Sequence, residues 1–214
     1  MSGVEAILKD SVGVELSEIY NRNHNLWVGI SFTNKLFTPD NIVAIIDLAL
    51  QYTKEKVLVW VPGRMHATNY YYFEKLGRAE ALRRAYEDEE RVLNFLKQSF
   101  HNSKVVLATF DETCTPRFMK RQAVLFKEFS KQGEFYKDTL EIVKQIMLAR
   151  GRTVEQKRLE SLALYVVQEL PLLVGGISKN NDPELYTALL YPGMGKLDEL
   201  AMAISTRNCQ WVWS

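Results

Sequence analysis

Nine residues near the start of the chain, Leu26-Trp27-Val28-Gly29-Ile30-Ser31-Phe32-Thr33-Asn34, restrict the fold more than any other stretch. An apolar run that ends in a glycine and a polar turn reads as a short buried strand. Thr38-Pro39-Asp40 then supplies helix-start signals: a threonine N-cap, a proline at the first helical position and an acid in the first turn. Ile42, Ile45, Ile46, Ala49 and Leu50 recur at three- and four-residue spacing, so one face of that helix packs on a sheet. Lys54-Glu55-Lys56 turns the chain into Val57-Leu58-Val59-Trp60-Val61, an apolar run of the kind that a parallel strand covered on both faces requires. Strand, loop, helix and strand make a βαβ unit. In open α/β sheets ligands sit beyond the carboxyl ends of the strands, and Ser31 falls at such an end. Its hydroxyl either meets a substrate there or bonds its own turn, as serines ahead of helices do.

The remaining segments continue the α/β pattern. Before the first strand, a short helix or strand is expected over residues 4–8. After Pro62-Gly63, residues 64–72 read as a loop heavy in tyrosine, either a packed lid or a stacking platform beside Arg64. A long helix begins at Gly77, a third strand covers residues 105–110, and Thr115-Pro116 opens a helix that breaks near Gln132-Gly133. The next helix spans residues 134–149, with Leu140, Ile142, Val143, Ile146 and Met147 as its buried stripe and Gly151 as its stop. Residues 154–169 are helical again, with Leu159, Leu162, Ala163 and Val166 inward. A strand follows over residues 185–191, and a last helix begins after Gly193 or Gly195. With no repeat and no linker, residues 1–214 read as one domain.

Charge and cysteine usage narrow the function. Lys and Arg number 27 against 26 Asp and Glu, so any nucleic-acid surface has to be local rather than global. Two cysteines far apart, Cys114 and Cys209, form no disulfide framework, and no segment approaches the roughly 18 apolar residues of a membrane span. The chain is therefore expected in the cytoplasm. A phosphate loop, a dinucleotide Gly-x-Gly-x-x-Gly, paired histidines at metal spacing and a Gly-x-Ser-x-Gly elbow are all absent from the sequence, which argues against metal- or nucleotide-dependent chemistry. His24, in a polar stretch before the first strand, is a solvated loop residue or a base, the former being the ordinary role.

One further constellation stands out. Tyr165 and Glu169 are four residues apart, which puts a phenol and a carboxylate on one helical face just before Pro171 ends the helix. Glu169, followed by Leu170, Leu172 and Leu173, is not placed like a surface charge. It pairs either with a protein cation or with the ammonium group of a substrate.

Val28-Gly29-Ile30-Ser31-x-x-Asn34, Tyr165-x-x-x-Glu169 followed by Leu170-Pro171-Leu172, and Tyr191-Pro192 together resemble the cyclodipeptide synthases, over most of the chain from Leu26 onward. Each motif is short, and their order and separation carry the resemblance. It implies a Rossmann-like domain with a mostly parallel sheet flanked by helices, similar to the catalytic domain of class I tyrosyl- and tryptophanyl-tRNA synthetases. It also implies two aminoacyl-tRNA substrates, a cyclic dipeptide (2,5-diketopiperazine) product, and no cofactor, metal or ATP.

By the same resemblance Ser31 carries first an aminoacyl and then a dipeptidyl group in a ping-pong route. Tyr165 and Glu169 bind the amine, and Tyr191 assists proton transfer. Trp27, Val59, Leu172 and Leu189 wall the first side-chain pocket, Gly29 leaves room in it, and Asn34 fixes the loop or the aminoacyl group. Pro192 after Tyr191 points to the subgroup with proline there, although Asn34 is a mark of the other one. Basic residues of the long helix, Arg83, Arg84, Arg91 and Lys97, are the expected tRNA contacts, diluted by Glu87, Asp88, Glu89 and Glu90. A serine acyltransferase or esterase with another acyl donor, and a non-catalytic tRNA-binding module, are the competing readings.

Overall fold

The βαβ unit forms at the middle of a six-stranded sheet. The computed structural model describes residues 10–12, 14–149, 151, 153, 155–174, 176–191 and 211–213. The elements run β1 (Asp10–Val12), α1 (Leu16–Tyr20), β2 (Leu26–Gly29), α2 (Pro39–Tyr52), β3 (Val57–Val61), a 3-10 turn (Gly63–His66) and α3 (Ala67–Phe73). They continue through α4 (Arg78–Ser99), β4 (Val105–Thr109), α5 (Phe110–Thr113), α6 (Pro116–Ser130), α7 (Glu134–Ala149), α8 (Gln156–Leu173), β5 (Ala188–Tyr191) and β6 (Trp211–Trp213). The expectations for residues 4–8, for Pro192 and for a last helix after Gly193 or Gly195 lie outside the described residues.

The strands are ordered β1-β6-β5-β2-β3-β4, all neighbours being parallel except the β1–β6 pair. From β2 the chain builds outward through β3 and β4 on one side, then returns to add β5 and β6 on the other. Strand order therefore reverses between β2 and β5, the place where open α/β sheets form a crevice at the carboxyl ends of their strands. Period-two alternation divides the sheet's side chains between two cores. Val28, Val57, Val59, Val61 and Leu190 pack with α2 and Leu96 of α4, while Trp27, Leu58, Trp60 and Leu189 face α6, α7 and α8. Helices thus cover both faces, which is why these strands are apolar throughout.

Helix starts follow the expected chemistry. The Thr38 hydroxyl accepts the Asn41 amide hydrogen at 3.4 Å and Thr115 does the same for Phe118 at 3.3 Å, each with proline at the next position. α7 and the left-handed Gly151 (φ 67°) stand where the sequence put them.

Three local expectations are corrected. Residues 64–72 are not a loop: the 3-10 turn runs directly into α3, whose Tyr70 buries against Ala81 and Ala85 of α4. Pro171 does not end α8, which continues to Leu173. A proline there removes a single amide donor, and burial of Leu170, Leu172 and Leu173 holds the final turn. The fifth strand is shorter than residues 185–191, because Tyr186 pairs instead with Ile177 in an isolated antiparallel bridge.

Candidate active site

The carboxyl end of β2 opens into a cavity of about 420 Å³ at the point of strand-order reversal. Its floor comes from the sheet. In the parallel register Gly29 lies beside Trp60, and Trp27 lies between Leu58 and Leu189. A β-carbon on Gly29 would stand in van der Waals contact with both indoles, 3.4 Å from the Trp27 ring and 3.8 Å from the Trp60 ring, so the glycine keeps the floor between them open. The Trp60 indole N–H donates to the Thr113 hydroxyl at 3.3 Å, and that hydroxyl donates to the Phe110 carbonyl, which locks the ring. Val143, Ile146 and Met147 of α7 and Leu162, Val166, Leu172 and Leu173 of α8 close the opposite wall.

Polar groups enter this apolar space from separate elements. Ser31 comes from the turn after β2, Tyr191 from the end of β5, Tyr165 and Glu169 from one face of α8, and His66 and Asn69 from the chain after β3. Among the described lining residues Glu169 is the single carboxylate, and no Lys or Arg accompanies it. The Asn34 side-chain amide donates to the Tyr191 hydroxyl at 3.5 Å, across the crevice between β2 and β5, while its oxygen accepts the Leu36 amide hydrogen at 3.0 Å. It thereby ties the serine turn to Tyr191. The Asn69 amide donates to the Tyr165 hydroxyl at 3.3 Å.

Four of the expected pocket residues, Trp27, Gly29, Leu172 and Leu189, line the cavity. Val59 does not. It is wholly buried in the opposite core, because odd and even residues of β3 face different sides and the even ones, Leu58 and Trp60, face the helices α6 to α8. Trp60, His66 and Asn69 were missed in the sequence. Trp60 was accessible from strand parity, whereas the three-residue spacing of His66 and Asn69 signals a shared face only once residues 64–72 are read as helical.

The arginines on α4 are engaged with acids. Arg83 pairs with Glu80 and Glu87, Arg84 with Glu74 and Asp88, and Arg91 with Asp88. Lys97 is exposed and has no ion pair among the described residues. His24 is not solvated: its Nδ1 lies 2.9 Å from the Thr187 hydroxyl at the amino-terminal end of the sheet, far from Ser31 in the fold. Burial holds its imidazole below the ordinary value, against the opposing pull of Glu18.

A cavity of this size with apolar walls, two aliphatic hydroxyls, two phenols and one carboxylate suits a small ligand that presents a cationic group beside apolar surface. The carboxylate and phenols can hold an ammonium group while a hydroxyl attacks a carbonyl. No group of three or more His, Cys, Asp or Glu at metal-binding geometry occurs among the described residues, and no described helix is long and apolar enough to cross a membrane.

Comparison with known proteins adds independent findings. A family model described as cyclodipeptide synthase matches residues 11–178. A cyclodipeptide synthase from Bacillus thermoamylovorans superposes with a TM-score of 0.73 at 20% identity, over 92% of this chain and 90% of that one. A cyclodipeptide synthetase of Mycobacterium tuberculosis, described as related to type I tRNA synthetases, gives 0.72 at 14% identity over 99% and 97%. The synthase of Candidatus Glomeribacter gigasporarum, solved bound to Phe-tRNAPhe, gives 0.57 at 13% identity over 88% and 86%. No curated protein sequence matches the chain.

Proposed function

Because this chain belongs to the cyclodipeptide synthase family, an aminoacyl-tRNA-dependent group of transferases, we propose that it works by a ping-pong route through Ser31. The observation that carries this reading is the convergence of Ser31, Tyr165, Glu169 and Tyr191 on one apolar cavity at the point where strand order reverses.

The Ser31 hydroxyl attacks the ester carbonyl of the first aminoacyl-tRNA. The terminal ribose oxygen leaves with the proton, and an aminoacyl ester on Ser31 remains. Turn amides after Ser31 stabilise the developing oxyanion. Glu169 supplies charge and Tyr165 a directed hydrogen bond to the aminoacyl ammonium, in apolar surroundings that strengthen the attraction between carboxylate and cation. Once deprotonated, that amine attacks the ester carbonyl of the second aminoacyl-tRNA and releases the second tRNA, leaving a dipeptide on Ser31. The new terminal amine then attacks the seryl ester carbonyl, closes the diketopiperazine and returns the hydroxyl, with Tyr191 relaying the proton. An aminoacyl ester is already activated, so the protein contributes mainly orientation, and the route needs neither ATP nor a metal.

On this reading residues 1–214 act as one catalytic domain in the cytoplasm, and Pro192 supports membership of the proline-bearing subgroup, with Asn34 as a departure from it. Ion pairing on α4 leaves few phosphate contacts, so tRNA use is weak and its dependence on salt shallow. Removal of Arg91 and Lys97 together lowers the use of both charged tRNAs alike; a loss confined to one of them contradicts this surface. The route itself is tested by intact-protein mass after incubation with a single aminoacyl-tRNA. Wild type gains one aminoacyl group and Ser31→Ala none, and a second charged tRNA discharges the adduct as a cyclic dipeptide. Product without an adduct, or an adduct on Ser31→Ala, contradicts it.

A further inference from the structure

The 3-10 turn Gly63–His66 passes without a break into α3, so His66 and Asn69 stand one turn apart on the same side. The His66 ring is only 3% exposed and is held edge-on between Phe32 and Tyr70, each with its ring centroid 5.0 Å away. Phe32 directly follows Ser31. The imidazole therefore braces the serine turn from one side.

On its other side His66 meets Asn69. The Asn69 amide nitrogen is 3.2 Å from His66 Nδ1 and 3.3 Å from the Tyr165 phenolic oxygen. An amide nitrogen carries two hydrogens, and these two acceptors take one each. That arrangement requires the His66 tautomer with its lone pair on Nδ1 and its ring hydrogen on Nε2. Tyr165 receives a hydrogen from α3 and turns its own hydroxyl hydrogen and its second lone pair away from α3.

We propose that His66 and Asn69 are a positioning pair that locks the Tyr165 phenol in register with the Ser31 turn, so that the amine of a seryl-bound aminoacyl group meets a fixed hydrogen-bonding partner. This rests on the ping-pong reading above. The physical need is clear: a tyrosine hydroxyl rotates about its bond to the ring, and a phenol on α8 has no covalent reason to keep station with a turn after β2. Asn69 fixes the rotor, and His66 ties Asn69 to the turn. Neither residue exchanges a proton with substrate in this scheme.

A double-mutant cycle in purified enzyme tests it, because independent sites multiply their effects and members of one network do not. Asn69→Ala is expected to lower cyclic dipeptide formation about 10-fold, the scale of one lost directed hydrogen bond, while the aminoacyl adduct on Ser31 still forms. In a Tyr165→Phe background the same change is expected to cost less than about twofold. Equal losses in both backgrounds, or wild-type turnover by Asn69→Ala, overturn the proposal. Asn69 is half-buried and the variant is expected to fold; should it not, His66→Gln and His66→Leu decide the matter. Gln retains an acceptor for the Asn69 amide and is expected to lose less activity than Leu, and equal losses count against the pair.

Nitrogen-15 NMR of the imidazoles, only three in this chain, gives a readout independent of turnover. An unprotonated Nδ1 at His66 is expected, and a protonated one overturns the hydrogen assignment on which the pair depends. A wild-type protein that makes no cyclic dipeptide defeats the ping-pong reading instead, with the imidazole spectrum still reporting on the pair.

Discussion

The two ends of the sheet are both rich in polar side chains, yet they use them differently. At the amino-terminal end Asn25 accepts amide hydrogens from Glu55 and Lys56 at 2.9 and 3.0 Å and donates to Glu184 at 3.0 Å. Thr53 accepts from the Leu26 amide and donates to the Lys56 carbonyl, and His24 meets Thr187. These side chains close on backbone and on one another, tying β2 to the start of β3 and to the approach to β5. At the carboxyl end Ser31, Tyr165, Glu169 and Tyr191 converge from different elements on a cavity. A polar cluster that ends on backbone is a clamp, whereas one that surrounds space is built for a ligand.

The contrast makes ordered predictions. The largest effect belongs to Glu169→Gln, which keeps shape and removes charge: cyclic dipeptide formation falls roughly 100-fold, as when one partner of a desolvated charge pair is lost, with the melting temperature little changed. A melting loss as large as the activity loss would make Glu169 a clamp instead. Asn25→Ala reverses the pattern. It strands two backbone N–H groups and destabilises by about 2–3 kcal/mol, visible as a lower urea midpoint, while turnover per folded molecule is retained.

Gly63→Ala crosses the two categories, since Gly63 sits at the cavity end but serves the backbone. Its φ is 51°, and a β-carbon there would stand 1.8 Å from a Glu89 carboxylate oxygen. A loss of about 1–2 kcal/mol is expected from the strained backbone, with turnover falling as the path to His66 shifts.

The smallest effect concerns His24. Burial lowers its pKa, so between that value and the ordinary 6.5 the unfolded chain binds more protons than the folded one. Its contribution is intact above pH 6.5 and declines as pH falls through the window beneath. His24→Gln is expected to flatten the acid side of the stability profile slightly, measured by thermal melts between about pH 5 and 7.

Much of this was legible in the chain itself. The βαβ unit, the N-caps at Thr38 and Thr115, the extent of α7 and the shared face of Tyr165 and Glu169 follow from local pattern, because each depends on residues within a few positions of one another. What escaped depends on distant partners. α3 forms where no amphipathic signal marks it, because Tyr70 finds a slot between Ala81 and Ala85. α8 runs through Pro171 because its last turn is buried. Neutralisation of Arg83, Arg84 and Arg91 was partly visible in the interleaved acids, but Glu74, the partner of Arg84, lies outside α4 altogether. Val59 was placed on the cavity side through the family resemblance, and strand parity assigns that side to Trp60.

The most direct test is mass spectrometry of the medium from a host that expresses the wild-type chain, beside one that expresses Ser31→Ala at equal level. The account predicts a new cyclic dipeptide with wild type alone, which names both amino acids at once. The same product from Ser31→Ala, in equal amount, would contradict a covalent route through Ser31.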